Sequence, residues 1–280
     1  MKHMHTDSEL YSRGASTLLA TWEEDARGAR RAALERFPGV AAAVFPHEPE
    51  RTFFNNALLD RGLTSVERQG ALDALEAAYA AAGVDRFAAW VHESDRAMQT
   101  DLERRGYRFD TTTRAMGMAL ADARLEQPRI DFAPPDWHEH LRVNELPTDF
   151  LAGADPAAYR IALARLDGEN VATAIAFQLD GDCGIYNVGT LEHARRHGLA
   201  SGVTSALLRD ALEHGCTTAS LQATPMAERI YATLGFRDLG RIFEYVPAVD
   251  LSLGEPWFDR ATDRARFRTS GWLERNRRRC

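Results

Sequence analysis

The sequence predicts an α/β fold built twice over. Three observations carry this. Residues 83–107 and 215–236 repeat one order at an offset of about 130: a glycine stop, a buried strand, a helix, a glycine-aromatic break and a further strand. Gly83 pairs with Gly215, Phe87–His92 with Thr218–Ala223, and Gly106-Tyr107 with Gly235-Phe236. A fixed period of this kind is the mark of a duplicated unit. Periodicity is broken between the copies, at Ala121–Pro135, where Gln127-Pro128 and Pro134-Pro135 interrupt it.

In the first half, Leu10–Ala26 and Ala29–Arg36 are rich in Ala, Leu, Glu and Arg, which predicts two helices, the second ended by Pro38-Gly39. Pro46 and Pro49 bracket a turn, and Thr52–Leu59 reads as a strand. Ser65 is the expected N-cap of a helix to Ala82, with Gly83 as its C-cap. Phe87–His92 is a buried strand, Ser94 caps a helix to about Arg105, and Thr112–Leu120 is a strand.

In the second half, Tyr159–Leu166 and Val171–Leu179 flank an Asp-Gly-Glu turn, the pattern of a β-hairpin. Asp180-Gly181-Asp182 turns into a third strand, Gly184–Leu191. His197 or Gly198 then opens a helix whose apolar face is Leu199, Val203, Ala206, Leu207 and Ala211. Thr218–Thr224 is a strand, and Pro225 starts a helix to Leu234.

Composition narrows the function classes. The 280 residues are 45% hydrophobic and 27% charged, the balance of a soluble globular protein of one large or two ordinary domains. No apolar run approaches the ~20 residues of a membrane span, and the first residues lack the apolar core of a signal peptide. A cytoplasmic protein with no membrane partner is the expectation. The net charge of −7 speaks against nucleic acid, whose phosphates attract a basic stripe. Cys183, Cys216 and Cys280 form no CxxC pair, so neither a disulfide framework nor a zinc site is expected. His138-Glu139-His140 has no third ligand in reach, and no metal is expected there.

One segment carries chemistry. Arg195-Arg196-His197-Gly198-Leu199-Ala200 lies between an apolar strand and a helix. First-turn amides lack intrahelical partners, and the macrodipole adds positive charge, so a helix start accepts phosphate. Gly198 permits close approach, Ala200 and Ser201 leave room, and the two arginines supply formal charge. Alone, such a motif is weak. Two others follow within about 50 residues: the strand Leu221-Gln222-Ala223-Thr224-Pro225, then Tyr231-Ala232-Thr233-Leu234-Gly235-Phe236.

Together these three resemble the GNAT superfamily of acyl-CoA-dependent N-acetyltransferases. The resemblance covers about 115 residues of the second half well and the first half only in outline. It implies two tandem GNAT-like domains, each a mixed, mostly antiparallel sheet flanked by helices: a degenerate domain over 1–125, a catalytic one over 126–248 and an extension over 249–280. It further implies acetyl transfer from acetyl-CoA to a primary amine and leaves small-molecule amines, amino acids, peptides and protein lysines open as acceptors; the acidic balance and the extra domain favour a small molecule. The strand at Val188, Gly189 and Thr190 would splay and bind the pantetheine arm, and Arg195, Arg196, His197, Gly198, Leu199, Ala200 and Ser201 would hold the pyrophosphate. Tyr231 would protonate the leaving thiolate, and the Val188 amide would polarise the carbonyl. Thr224 stands where many members carry asparagine, which puts one pantetheine contact in doubt. The general base stays open among Tyr186, Asn187, Glu228, Glu244 and water.

In the first half, Gln69-Gly70-Ala71-Leu72 stands in for the pyrophosphate motif with Glu67 just before it, and Leu102 stands in for Tyr231. A fold without transferase activity is expected there. The rival from another class is a non-catalytic acyl-CoA sensor or assembly module. A plain nucleotide binder is disfavoured, because residues 217–224 offer no ribose-reading carboxylate. The aromatic segment after Val246 could lie over the first half, cover the site or join two copies in a homodimer.

Overall fold

Thr6 opens the first helix by accepting the Glu9 amide while the Glu9 side chain returns to the Thr6 amide, a complete capping box. This helix, α1 (Asp7–Arg27), begins the chain in a computed structural model that describes residues 5–47, 54–125, 130–146 and 154–248. Next come β1 (Ala33–Phe37), β2 (Val40–Val44), β3 (Asn56–Leu59), α2 (Ser65–Ala82), β4 (Ala88–His92), α3 (Arg96–Arg104) and β5 (Tyr107–Ala119). The second half follows as β6 (Asp131–Ala133), α4 (Trp137–Val143), β7 (Tyr159–Leu166), β8 (Glu169–Leu179), β9 (Asp182–Thr190), α5 (Leu199–Glu213), β10 (Thr218–Ala223), α6 (Glu228–Leu234) and β11 (Arg237–Pro247).

Several expectations shift. The second helix forecast at Ala29–Arg36 is instead β1, because Pro38-Gly39 makes a two-residue turn that pairs Phe37 with Val40. Gly39 sits at φ +85, so turn chemistry overrides the helix propensity of Ala, Leu, Glu and Arg. The strand expected from Thr52 starts at Asn56, with Thr52 and Pro49 outside the described residues. Thr64, not Ser65, caps α2, and Asp95, not Ser94, caps α3. The last helix starts at Glu228, three residues after Pro225. The hairpin of β7 and β8 forms as expected, with Asp167 and Gly168 both at positive φ.

The eleven strands among the described residues join one mixed sheet in the order β1-β2-β3-β4-β11-β5-β10-β9-β8-β7-β6. β4 runs parallel to β3 and β10 parallel to β9; the other neighbours are antiparallel. Each half repeats hairpin, strand, helix, strand, helix, strand. The last strands are exchanged: β11 pairs with β4 of the first half, β5 pairs with β10 of the second, and the two pair with each other. Contacts accordingly gather residues through Pro247 into one unit.

Alternation along the strands builds two layers of helices. One face of the second half buries Ala174, Ala176, Ile185 and Leu221 against Leu199, Val203 and Leu207 of α5. The same face of the first half buries Val40, Ala42 and Val91 against Leu72, Leu75 and Tyr79 of α2. The opposite face carries α4 over Ile175 and Tyr159, and α1 over Ala115, Leu239 and Ile242. α1 belongs to the first half in sequence yet crosses the second. Its Thr17 donates to Asp182, which also accepts from Thr218 and Ser220, so this buried carboxylate is held by three hydroxyls. Gly14 makes that crossing possible, since a Cβ there would lie 2.7 Å from Ser220 Cβ.

Candidate active site: a splayed strand pair beside an open helix start

β9 and β10 are parallel neighbours only over Asp182–Gly184 and Thr218–Ser220. β9 continues to Thr190, so Ile185–Thr190 has no partner strand on that side. The cause lies in β9 itself. Opposite β8, the register jumps between Thr173↔Gly189 and Ile175↔Tyr186, which inserts one extra residue at Asn187-Val188. Asn187 adopts φ +48, a conformation that asparagine tolerates better than most residues. A bulge bends its strand, and here β9 turns away from β10.

The cleft so opened leads to the start of α5. Gly198 is the N-cap at φ +72, and no side chain caps this helix. A Cβ at Gly198 would meet nothing nearer than Ser201 Oγ at 3.9 Å, so the approach is open. Ser201 Oγ donates backward to the Gly198 carbonyl (2.8 Å), leaving the first-turn amides unfilled by it. Arg195, Arg196 and His197 are exposed, and Leu199 is buried in the core. Arg196 sits at φ +70, and Arg195 Nε lies 3.4 Å from the Thr190 carbonyl. Among the described residues the buried Thr190 Oγ1 has no hydrogen-bond partner.

The structure thus brings Val188, Gly189, Thr190 and residues 195–201 together along one strand and the helix after it. Thr224 is exposed at the end of β10, where its carbonyl accepts from the Ala227 and Glu228 amides. Tyr231 lies on α6, which follows the diverging strand. It is 6% exposed, packs edge-on against Phe236, and its phenol is pushed up to about 12 by burial. A phenol with that pKa stays protonated throughout the neutral range.

Among the candidate bases, Glu228 is engaged by Arg114 (2.9 Å) and Arg241 (3.2 Å). Glu244 is buried on β11 opposite Trp90, in the first-half part of the sheet. Tyr186 and Asn187 border the bulge.

Three features were not read from the sequence. Asn144, the C-cap of α4, donates from Nδ2 to the Asn187 carbonyl (3.0 Å). His140 is fully buried: its Nδ1 is 2.9 Å from Thr173 Oγ1, and burial drives its pKa down to about 4. A small cavity under α1 is lined by Tyr11, Gly14, Trp90, Ala115, Ser220 and Gln222, residues of both halves. An i, i+4 spacing of His140 and Asn144 was the only sequence trace of the first two.

Comparison with known proteins gives a family match for the second half of the chain. A model of the acetyltransferase (GNAT) family matches residues 121–236. The second half of the chain, over those residues, is therefore similar to the GNAT family. Acyl transfer to amine acceptors is the chemistry of that family. Among solved structures, a GCN5-related N-acetyltransferase from Kribbella flavida is 22% identical with a TM-score of 0.68, covering 86% of this chain and 97% of its own. A GCN5-related N-acetyltransferase from Sphaerobacter thermophilus is 17% identical with a TM-score of 0.55, covering 86% and 88%. A tandem GNAT protein from the clavulanic acid biosynthesis pathway is 13% identical with a TM-score of 0.52, covering 83% and 94%. At these identities the likeness is one of fold, and it extends over both halves of this chain. No curated protein matches the sequence. No helix among the described residues is long and apolar enough to cross a membrane.

Proposed function

We propose that this protein is a GNAT enzyme, a tandem of two GNAT-like domains divided near residue 125, in which the second transfers an acetyl group from acetyl-CoA to a primary amine of a small molecule. One observation carries the reading: the bulged, splayed β9 ends at a helix start that no side chain caps. An unpaired strand edge suits an extended amide-bearing arm, which can hydrogen-bond to it as a further strand would. The open amides of α5, with Arg195 and Arg196 beside them, suit a pyrophosphate. The fit holds at each point where a side chain could have blocked it, since Gly198 leaves open space and Ala200 and Ser201 are small.

Acyl-CoA supplies an acyl group already activated as a thioester. The chain then needs a donor at the carbonyl oxygen and a proton at the leaving sulfur. The Val188 amide, at the bulge, suits the first role. Tyr231, kept protonated by burial, suits the second. Residues 188–190 and 195–201 fix the donor, so most of the acceleration comes from holding an amine against it. The first half contributes packing without chemistry of its own: α1 crosses the second half and lines, with Ser220 and Gln222 of β10, a small cavity.

The test is release of free thiol from acetyl-CoA in the presence of polyamines, amino acids, aminoglycosides and peptides. Amine-dependent release supports the transferase and names the acceptor class. Tight acetyl-CoA binding without release for any amine would favour the sensor reading. Absence of acetyl-CoA binding would overturn both.

A further inference from the structure

We infer that Asn144 is a positioning residue that sets the direction of the Val188 amide, and so governs carbonyl polarisation without touching substrate. This rests on the transfer reading above and adds a residue to it.

The bond from Asn144 Nδ2 ends on the carbonyl of Asn187, and that carbonyl belongs to the same peptide as the Val188 N–H. In a trans peptide the C=O and N–H point in opposite directions. Holding the oxygen therefore aims the hydrogen. α4 packs over β7 and β8, on one side of β9, while the splay opens on the other. An N–H directed away from Asn144 points toward the splay. The bond also polarises the peptide, which strengthens the N–H as a donor.

The grip is built, not incidental. Asn144 Nδ2 has two hydrogens, and its two carbonyl acceptors are Asn187 O (3.0 Å) and His140 O (3.2 Å). The helix that carries it is anchored one turn earlier. Thr173 Oγ1 donates to the Ala162 carbonyl (3.0 Å), so its oxygen is left to accept from His140 Nδ1–H (2.9 Å). Trp137 stacks on the same ring. On the strand side, a Cβ at Gly189 would lie 2.2 Å from Asn144 Oδ1, so glycine is required for the side chain to sit there. The asparagine, the bulge and the glycine form one fitted unit.

The experiment compares wild type with Asn144→Asp, which keeps the shape but replaces the donor by an acceptor, and with Asn144→Ala, which removes the donor without adding a charge. Acetyl-CoA affinity, kcat and the infrared carbonyl stretch of bound acetyl-CoA labelled with ¹³C at the carbonyl are measured on each. The expected result for Asn144→Asp is affinity within about threefold of wild type and a kcat lowered roughly tenfold or more. The carbonyl stretch, displaced to lower frequency in wild type, returns toward its solution value. Asn144→Ala is expected to give the same pattern and replaces the aspartate variant if that one does not fold. A wild-type displacement that persists intact in either folded variant, with kcat within twofold, overturns the clamp alone. A wild type that binds acetyl-CoA with no displacement overturns the Val188 role and the clamp with it.

Discussion

The two halves share an order of elements and differ at the points where chemistry would occur. At the start of α2, Thr64 accepts the Glu67 amide and the Glu67 carboxylate returns to the Thr64 amide, so side chains already occupy the helix start. At the start of α5, Gly198 caps without a side chain. Both parallel pairs span three residues, but β3 ends one residue past its pairing with β4, whereas β9 runs six residues past its pairing with β10. On the helix after each parallel strand, Leu102 is fully buried where Tyr231 carries a phenol. A cap, a pairing and a hydroxyl separate a scaffold from a candidate site on one architecture. The difference also shows that stability and ligand binding compete for the same backbone groups: amides filled by a capping box are not free for phosphate.

The largest effect is expected from exchanging the chemistry at the paired positions Tyr231 and Leu102. Tyr231→Phe removes one oxygen from a residue whose ring packs on Phe236, so the fold should stand. Steady-state kinetics should show kcat reduced by about 10²-fold or more, with acetyl-CoA affinity within a factor of two. Leu102→Ala should do the reverse. It opens a cavity in the first-half core and should lower unfolding free energy by ~3 kcal/mol in denaturant titration, leaving kcat per folded molecule near wild type. Equal losses of turnover in both variants would mean that Tyr231 acts through packing alone.

A second exchange moves the first half's cap into the second. Ser201 stands at the third position of α5, as Glu67 does in α2. Ser201→Glu places a carboxylate where the amides would receive a pyrophosphate. Acetyl-CoA affinity should fall about 30-fold, ~2 kcal/mol, while the melting temperature holds or rises slightly, because an acidic residue favours a helix N-terminus. Unchanged affinity, measured by calorimetry at fixed salt, would place the phosphate elsewhere.

What the sequence revealed of this comparison followed from how local each signal is. The helix start at Gly198, the hairpin turn at Asp167-Gly168 and the glycine stops at Gly83, Gly215 and Gly235 depend on backbone conformations that few residues satisfy, and all stand as expected. Ala29–Arg36 misled because its composition favours a helix, and only the pairing across Pro38-Gly39 makes it a strand. The match of Gly70 to Gly198 also failed. Gly70 lies inside α2, and the residue at the helix start is Thr64. The exchange of β5 and β11 leaves no trace in periodicity, since a strand reads the same beside either partner. Asn144 was invisible for a related reason: its partner is a carbonyl 43 residues away, and a backbone group has no signature in the sequence.

The smallest effect on turnover, and a direct measure of how far the two halves act as one unit, is expected at Asp25. This aspartate is on α1, in the first half, and is bonded by the Tyr159 hydroxyl of the second. Burial raises its pKa to about 7, with Glu24 adding to the shift and the Tyr159 bond opposing it. The folded state therefore keeps its proton where the unfolded chain, with an ordinary aspartate near 4, has lost it. Stability is fullest below about pH 4, falls as pH rises toward 7, and levels off beyond. Asp25→Asn keeps an oxygen for the Tyr159 hydroxyl and carries no charge to desolvate. Thermal unfolding at pH 8 should show the variant more stable than wild type, on the order of 2 kcal/mol, with the difference vanishing near pH 4. Because α1 crosses the second half, one cooperative transition should move as a whole. Two transitions, with only one displaced, would show that the exchanged strands do not couple the halves.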